Sequence, residues 1–106
     1  MDDEGQLYAE ASRGARARAI LEDELVVAFF TDAEREIWEA WKSSPLRDAD
    51  GREKLRLMQE WLTKFRQSLQ AHVMTGKMAM ETLDQRRTAL DRMKAAIMPR
   101  SWIDAE

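Results

Sequence analysis

His72 is the single histidine of the chain, and it is the first residue to weigh for chemistry. A zinc site needs three or four ligands at suitable spacing. The chain has no cysteine to join His72, and its carboxylates lie far off in sequence. A lone histidine on a packed helical face is expected to be a hydrogen-bonded core residue. Glu34, Glu36 and Glu39 crowd one stretch of helix. A di-iron centre built in a helix bundle also needs Glu-x-x-His pairs, which are missing here, so these carboxylates read as a solvated face. No glycine-rich phosphate loop is present, and no Ser/His pair sits in a nucleophile context. The sequence therefore predicts a non-enzyme, with no catalytic residue, no metal site, no cofactor and no small-molecule substrate.

Two other clusters suit binding. Arg13, Arg16 and Arg18 on one arm, with Arg86, Arg87 and Arg92 on the other, are the residue type that contacts phosphates. Glu10, Glu22, Glu81, Asp84 and Asp91 are interleaved with them, which favours salt-bridged helix surface. A nucleic-acid interface at Arg13, Arg16, Arg86 and Arg87 is the alternative. Met74 and Met78 stand one turn apart with Met80 beside them. Methionines adapt to irregular partners, so these form either a partner surface or a third core face. The run Leu25-Val26-Val27-Ala28-Phe29-Phe30 is apolar on every side of a helix, and such a helix is buried on more than one face. One hairpin partner covers one stripe only, so a second is implied, either another segment or another copy of the chain. The candidate protein interface is thus Leu25, Val26, Phe29, Phe30, Met74 and Met78. Trp102, the large apolar residue of the tail, completes it.

The element that must position these residues is a heptad repeat. Leu55, Leu62, Leu69, Gly76, Leu83, Leu90 and Ile97 recur every seven residues, and Met58, Phe65, His72, Ala79, Arg86 and Met93 follow three residues behind. That a/d seam predicts one long helix over about 52–98, some 70 Å long at about 1.5 Å per residue. Pro99 ends it, and 99–106 is a tail. Trp61, Val73, Met80, Ala89 and Ala96 flank the seam, a wider apolar face than a two-stranded coiled coil needs and one suited to a bundle or an oligomer.

Residues 1–5 are acidic and expected to fray, and a helical arm is predicted over about 6–42. Thr31 with Glu34 matches a capping box, which would break the arm there, and Asp23 is a second possible restart. Residues 43–51 form the loop, with Pro45 setting its start and Asp48 or Asp50 capping the long helix. An antiparallel hairpin about Leu46 would set Trp41 against Arg52 and Leu55, and Phe30 against Lys64 and Phe65. It would also set Gly14, Ala15 and Ala17 against 76–79. Gly14 costs about 1 kcal/mol relative to Ala inside a helix, which makes sense if another helix approaches closely there. The expected fold is all-α, one domain over 1–106, a long antiparallel helical hairpin or small bundle.

The bulk numbers agree. A chain of 106 residues holds one domain at most. It is 44% hydrophobic and 35% charged, with 4 Gly and 2 Pro, a composition suited to long solvated helices. The net charge of -3 argues against bulk nucleic-acid binding. The longest apolar run, Leu25 to Phe30, is far short of the roughly 20 residues of a membrane span. The N-terminus Met1-Asp2-Asp3-Glu4 is acidic where a signal peptide is basic. A protein that is neither secreted nor membrane-bound is expected.

Four stretches carry a resemblance: Ile20-Leu21-Glu22-Asp23-Glu24-Leu25, Ile37-Trp38-Glu39-Ala40-Trp41-Lys42, the loop Pro45-Leu46-Arg47-Asp48-Ala49-Asp50-Gly51-Arg52-Glu53, and Thr75-Gly76-Lys77. Over residues 19–77 the chain resembles small helical accessory proteins of tailed bacteriophages and prophages, products of structural or packaging regions. The resemblance implies a phage origin and supplies no catalytic motif. The function expected from it is protein–protein contact in virion structure or assembly. Self-association and another phage or host protein would be the partners, in the host cytoplasm or the virion. A small terminase-like DNA-packaging component and an inhibitor of a host protein are the alternatives.

Overall fold

The computed structural model describes residues 3–97, which form three helices and no strand: α1 (Asp3–Glu22), α2 (Glu24–Ser43) and α3 (Ala49–Ile97). The fold is all-α. α1 and α2 together run back along α3 as the short arm of an antiparallel helical hairpin, in a body 81 × 29 × 17 Å. Helix begins at Asp3, so Asp3–Gly5 are not the frayed lead expected, and the loop is shorter than 43–51, because α2 continues to Ser43 and α3 starts at Ala49.

The break in the short arm falls at Asp23 and not at Thr31. Asp23 has φ -65° and ψ 129°, and its carboxylate accepts from the backbone N–H of Leu25 and Val26. A short acceptor that satisfies the first free donors of a helix offers the backbone an alternative to continuing the previous one. Thr31 lies inside α2, and its capping partner Glu34 is drawn across the hairpin to Arg66, 2.6 Å away. At the far end Asp48 caps α3, accepting from Gly51 N–H at 3.0 Å.

This one-residue joint gives α1 and α2 separate courses. α1 lies tightly along α3, while α2 touches it at far fewer points. The tight contact is the small-residue crossing. A Cβ on Gly14 would stand 2.7 Å from the His72 carbonyl oxygen and 2.8 Å from Gly76 Cα, and one on Gly76 would stand 2.8 Å from Gly14 Cα. Ala17 and Ala79 are buried beside them. Backbone meets backbone there, so the carbonyl of His72, not its ring, faces α1. The imidazole is exposed, which corrects the expectation of a core histidine.

The hairpin register holds elsewhere too. The Arg52 guanidinium lies 4.1 Å over the Trp41 ring, and the Phe30 and Phe65 ring centroids are 5.9 Å apart. Farther along, Arg86 meets Asp3 at 2.6 Å. Beyond Arg86, α3 outruns the short arm. Its seam residues Leu90, Met93 and Ile97 are exposed, as are Met58 and Phe65 near the loop. The seam is therefore closed only in the middle, around Gly76, Ala79 and Leu83.

Candidate protein interface

Where α2 stands away from α3, an open groove of about 1130 Å³ runs between them. Its α2 wall is Phe29, Phe30, Ala33, Ile37 and Ala40, whose spacing places them on one helical face. Its α3 wall is Leu55, Met58, Trp61, Leu62 and Phe65, the seam with its flank. Phe29 stands edge-on to Phe30 at 5.7 Å. On Phe30 also lies the Arg66 guanidinium, 4.6 Å from the ring centre and paired with Glu34. This contact ties α2 to α3. Two charged side chains line the groove, Glu36 from α2 and Lys64 from α3.

The Leu25–Phe30 run is not buried on several faces within one chain. Phe30 is 5% exposed, but Phe29 is 60% and Leu25 82% exposed, with Val26 half-buried. α3 covers the one stripe that a single partner can, and the rest faces outward. Met74 and Met78 are exposed as well, so within the chain they do not form a third core face. They lie on α3 in the stretch that α1 crosses, away from the groove. Trp102 lies outside the described residues. Sequence reasoning did not assign Met58, Trp61 and Ile37 to an interface. Trp61, on the flank of the seam, was the available signal, since a tryptophan widening an apolar face has to be covered by something.

The arginines separate into two groups. Arg86 pairs with Asp3, and Arg87 stands 3.9 Å from Asp84. Arg13 and Arg16 are exposed and make no ion pair among the described residues. Arg18 shares a shallow cleft at the glycine crossing with Lys77, Glu81 and Asp84, a surface of mixed sign. The three glutamates also separate. Glu34 is half-buried against Arg66 rather than purely solvated, while Glu36 and Glu39 are exposed. In the first turns of α3 the hydrogen bond from Arg56 holds the Glu53 carboxyl below the usual carboxylate range. Both groups are on the surface, so the pair organises the helix start more than it stabilises the fold.

Among the described residues, no group of three or more His, Asp or Glu side chains could hold a metal ion. None of the helices described is long and apolar enough to cross a membrane. Compared with protein-family models, with curated proteins and with solved structures, the chain matches none.

Proposed function

We propose that this chain is a non-enzymatic bacteriophage protein that acts by binding other protein chains, in virion structure or assembly. The observation that carries the binding part is the outward display of large apolar side chains. Phe29, Met58, Trp61 and Phe65 are exposed around one groove, and Leu90, Met93 and Ile97 on the free end of α3. The groove is the contiguous apolar patch of the two, and exposed apolar surface of this kind marks interaction sites. The phage part rests on the resemblance over residues 19–77. A DNA-packaging role is the weaker reading, because Arg86 and Arg87 have acidic partners and the net charge is negative. An inhibitor of a host protein, with an acidic helical face as its contact, is the other alternative.

The test is to fractionate particles and assembly intermediates from a phage-producing culture by sedimentation and to quantify this chain in each fraction by mass spectrometry. Co-sedimentation with particles or with their precursors, at a fixed copy number, is the expected result. Recovery entirely in the free fraction would remove the assembly role.

A further inference from the structure

We infer that the groove between α2 and the first half of α3 is filled by the same groove of a second copy, the two hairpins running antiparallel to make a four-helix bundle. This deepens the reading above by making the chain its own first partner.

Surface area is the first argument. The chain exposes 8757 Å², where a compact monomer of its mass, 12.3 kDa, would expose roughly 6100 Å². Obligate homodimers bury roughly 2,000–5,000 Å² over both partners, about 1,000–2,500 Å² on each, so the surplus on one chain, roughly 2600 Å² by the same scaling, is enough to supply one side of such an interface. The second argument is shape. Two apolar helical faces splayed about an open trough present the half-core of a four-helix bundle, and a twofold dimer brings one patch against itself.

Charge fixes the direction. Phe30 is level with Phe65, so Lys64 lies near the level of Thr31. Glu36 lies nearer the loop, about 8 Å farther along at about 1.5 Å per residue. In a parallel pairing Glu36 would face its own copy across the axis, with Glu60 on a neighbouring turn. An antiparallel pairing whose twofold axis lies midway between these two levels brings each Glu36 level with Lys64 of the other copy, twice by symmetry. Glu36 has no ion pair within its own chain among the described residues. Lys64 is held over the Trp61 ring at 5.1 Å, with a long 3.6 Å contact to Glu60.

The experiment is sedimentation equilibrium on the full chain, with helicity followed by circular dichroism at the same concentrations. The wild type is expected at twice the chain mass at micromolar concentration. Phe29→Glu and Trp61→Glu alter mostly exposed side chains. Within the protomer they give up the edge contact with Phe30 and the Lys64 contact respectively, and the helicity measurement separates that loss from loss of the dimer. Each is expected to raise the dimer dissociation constant at least a hundredfold while helix is retained. Glu36→Lys alone and Lys64→Glu alone set like charges against each other and are expected to weaken the dimer at least tenfold. The double exchange should return it to within a few-fold of wild type.

A monomeric wild type overturns the inference, and so does a trimer or higher oligomer. A dimer indifferent to Phe29→Glu and Trp61→Glu places self-association elsewhere, overturning this site while leaving the protein-binding reading intact. A dimer that these variants weaken but the double charge exchange fails to restore overturns the antiparallel arrangement. Particle association reports on the assembly role independently of all of these results.

Discussion

At the scale of single residues, Gly14 and Gly51 make a matched pair, since both lie inside helices and would gain propensity on becoming Ala. At Gly14 the new methyl meets backbone, the His72 carbonyl and Gly76 Cα, which cannot rotate away. Overpacking typically costs about 1–3 kcal/mol, against a helix-propensity gain of about 1 kcal/mol. Gly14→Ala should therefore lower the urea midpoint. At Gly51 the methyl would crowd only the Asp48 carboxylate. That side chain can turn aside, but doing so gives up its cap on the Gly51 N–H. The loss, about 0.5–2 kcal/mol, roughly offsets the propensity gain of about 1 kcal/mol, so Gly51→Ala should leave the midpoint nearly unchanged. Equal responses would mean that α1 does not cross α3 where the structure places it. The crossing was legible in the sequence because two small-residue clusters fell opposite each other in a hairpin of plausible register. The position of His72 was not, because heptad counting treats every d position as a side chain pointing inward. Where backbones touch, the inward slot belongs to the carbonyl.

At the scale of elements, the joint at Asp23 decides the course of α2. Asp23→Ala removes the acceptor for Leu25 and Val26 N–H, and loss of such a cap costs about 0.5–2 kcal/mol. Thr31→Ala alters a position inside α2 and should cost much less. Urea titration of both variants at one protein concentration checks this, and a larger loss from Thr31→Ala would return the break to the capping-box site. The two helical arms, their order and the turn near Pro45 followed from periodicity and from proline, as did the overlap of Trp41 with Arg52. The choice between Asp23 and Thr31 did not follow, since both carry side chains competent to cap. What separated them was tertiary: Glu34 has a better partner in Arg66 than in the backbone. The groove was half legible. The all-round apolar run announced that something must cover it, but the α3 wall depends on α2 standing away from α3, which no local pattern encodes.

At the scale of the molecule, the radius of gyration is 23.7 Å, against about 13 Å for a compact domain of this length. Such a rod presents long faces, and the question is which partners they suit. Arg13 and Arg16 are free of ion pairs among the described residues, but Arg86 and Arg87 are tied to Asp3 and Asp84. In a gel shift with duplex DNA at about 50 mM salt, where non-specific binders with several phosphate contacts still hold DNA, no shift is expected. The double variant Arg86→Ala with Arg87→Ala should behave as wild type does. A clear shift that the double variant abolishes would replace virion assembly with DNA packaging as the reading. Individual exposed pairs contribute only about 0–1 kcal/mol each, so this variant should remain folded and the comparison interpretable.

The contrast between the tight glycine crossing and the loosely held α2 also bears on how the chain folds. The turn at Pro45–Asp48 joins neighbours in sequence, so Trp41 and Arg52 can meet early, then Phe30 and Phe65. Loop-closure entropy rises only with the logarithm of the segment closed, and each later pairing adds little to it. The hairpin is thus expected to close as a zipper whose first teeth grip least, latching only when Gly14 reaches Gly76. A second copy seated in the groove would grip them from outside, and the rate of latching would then rise with protein concentration.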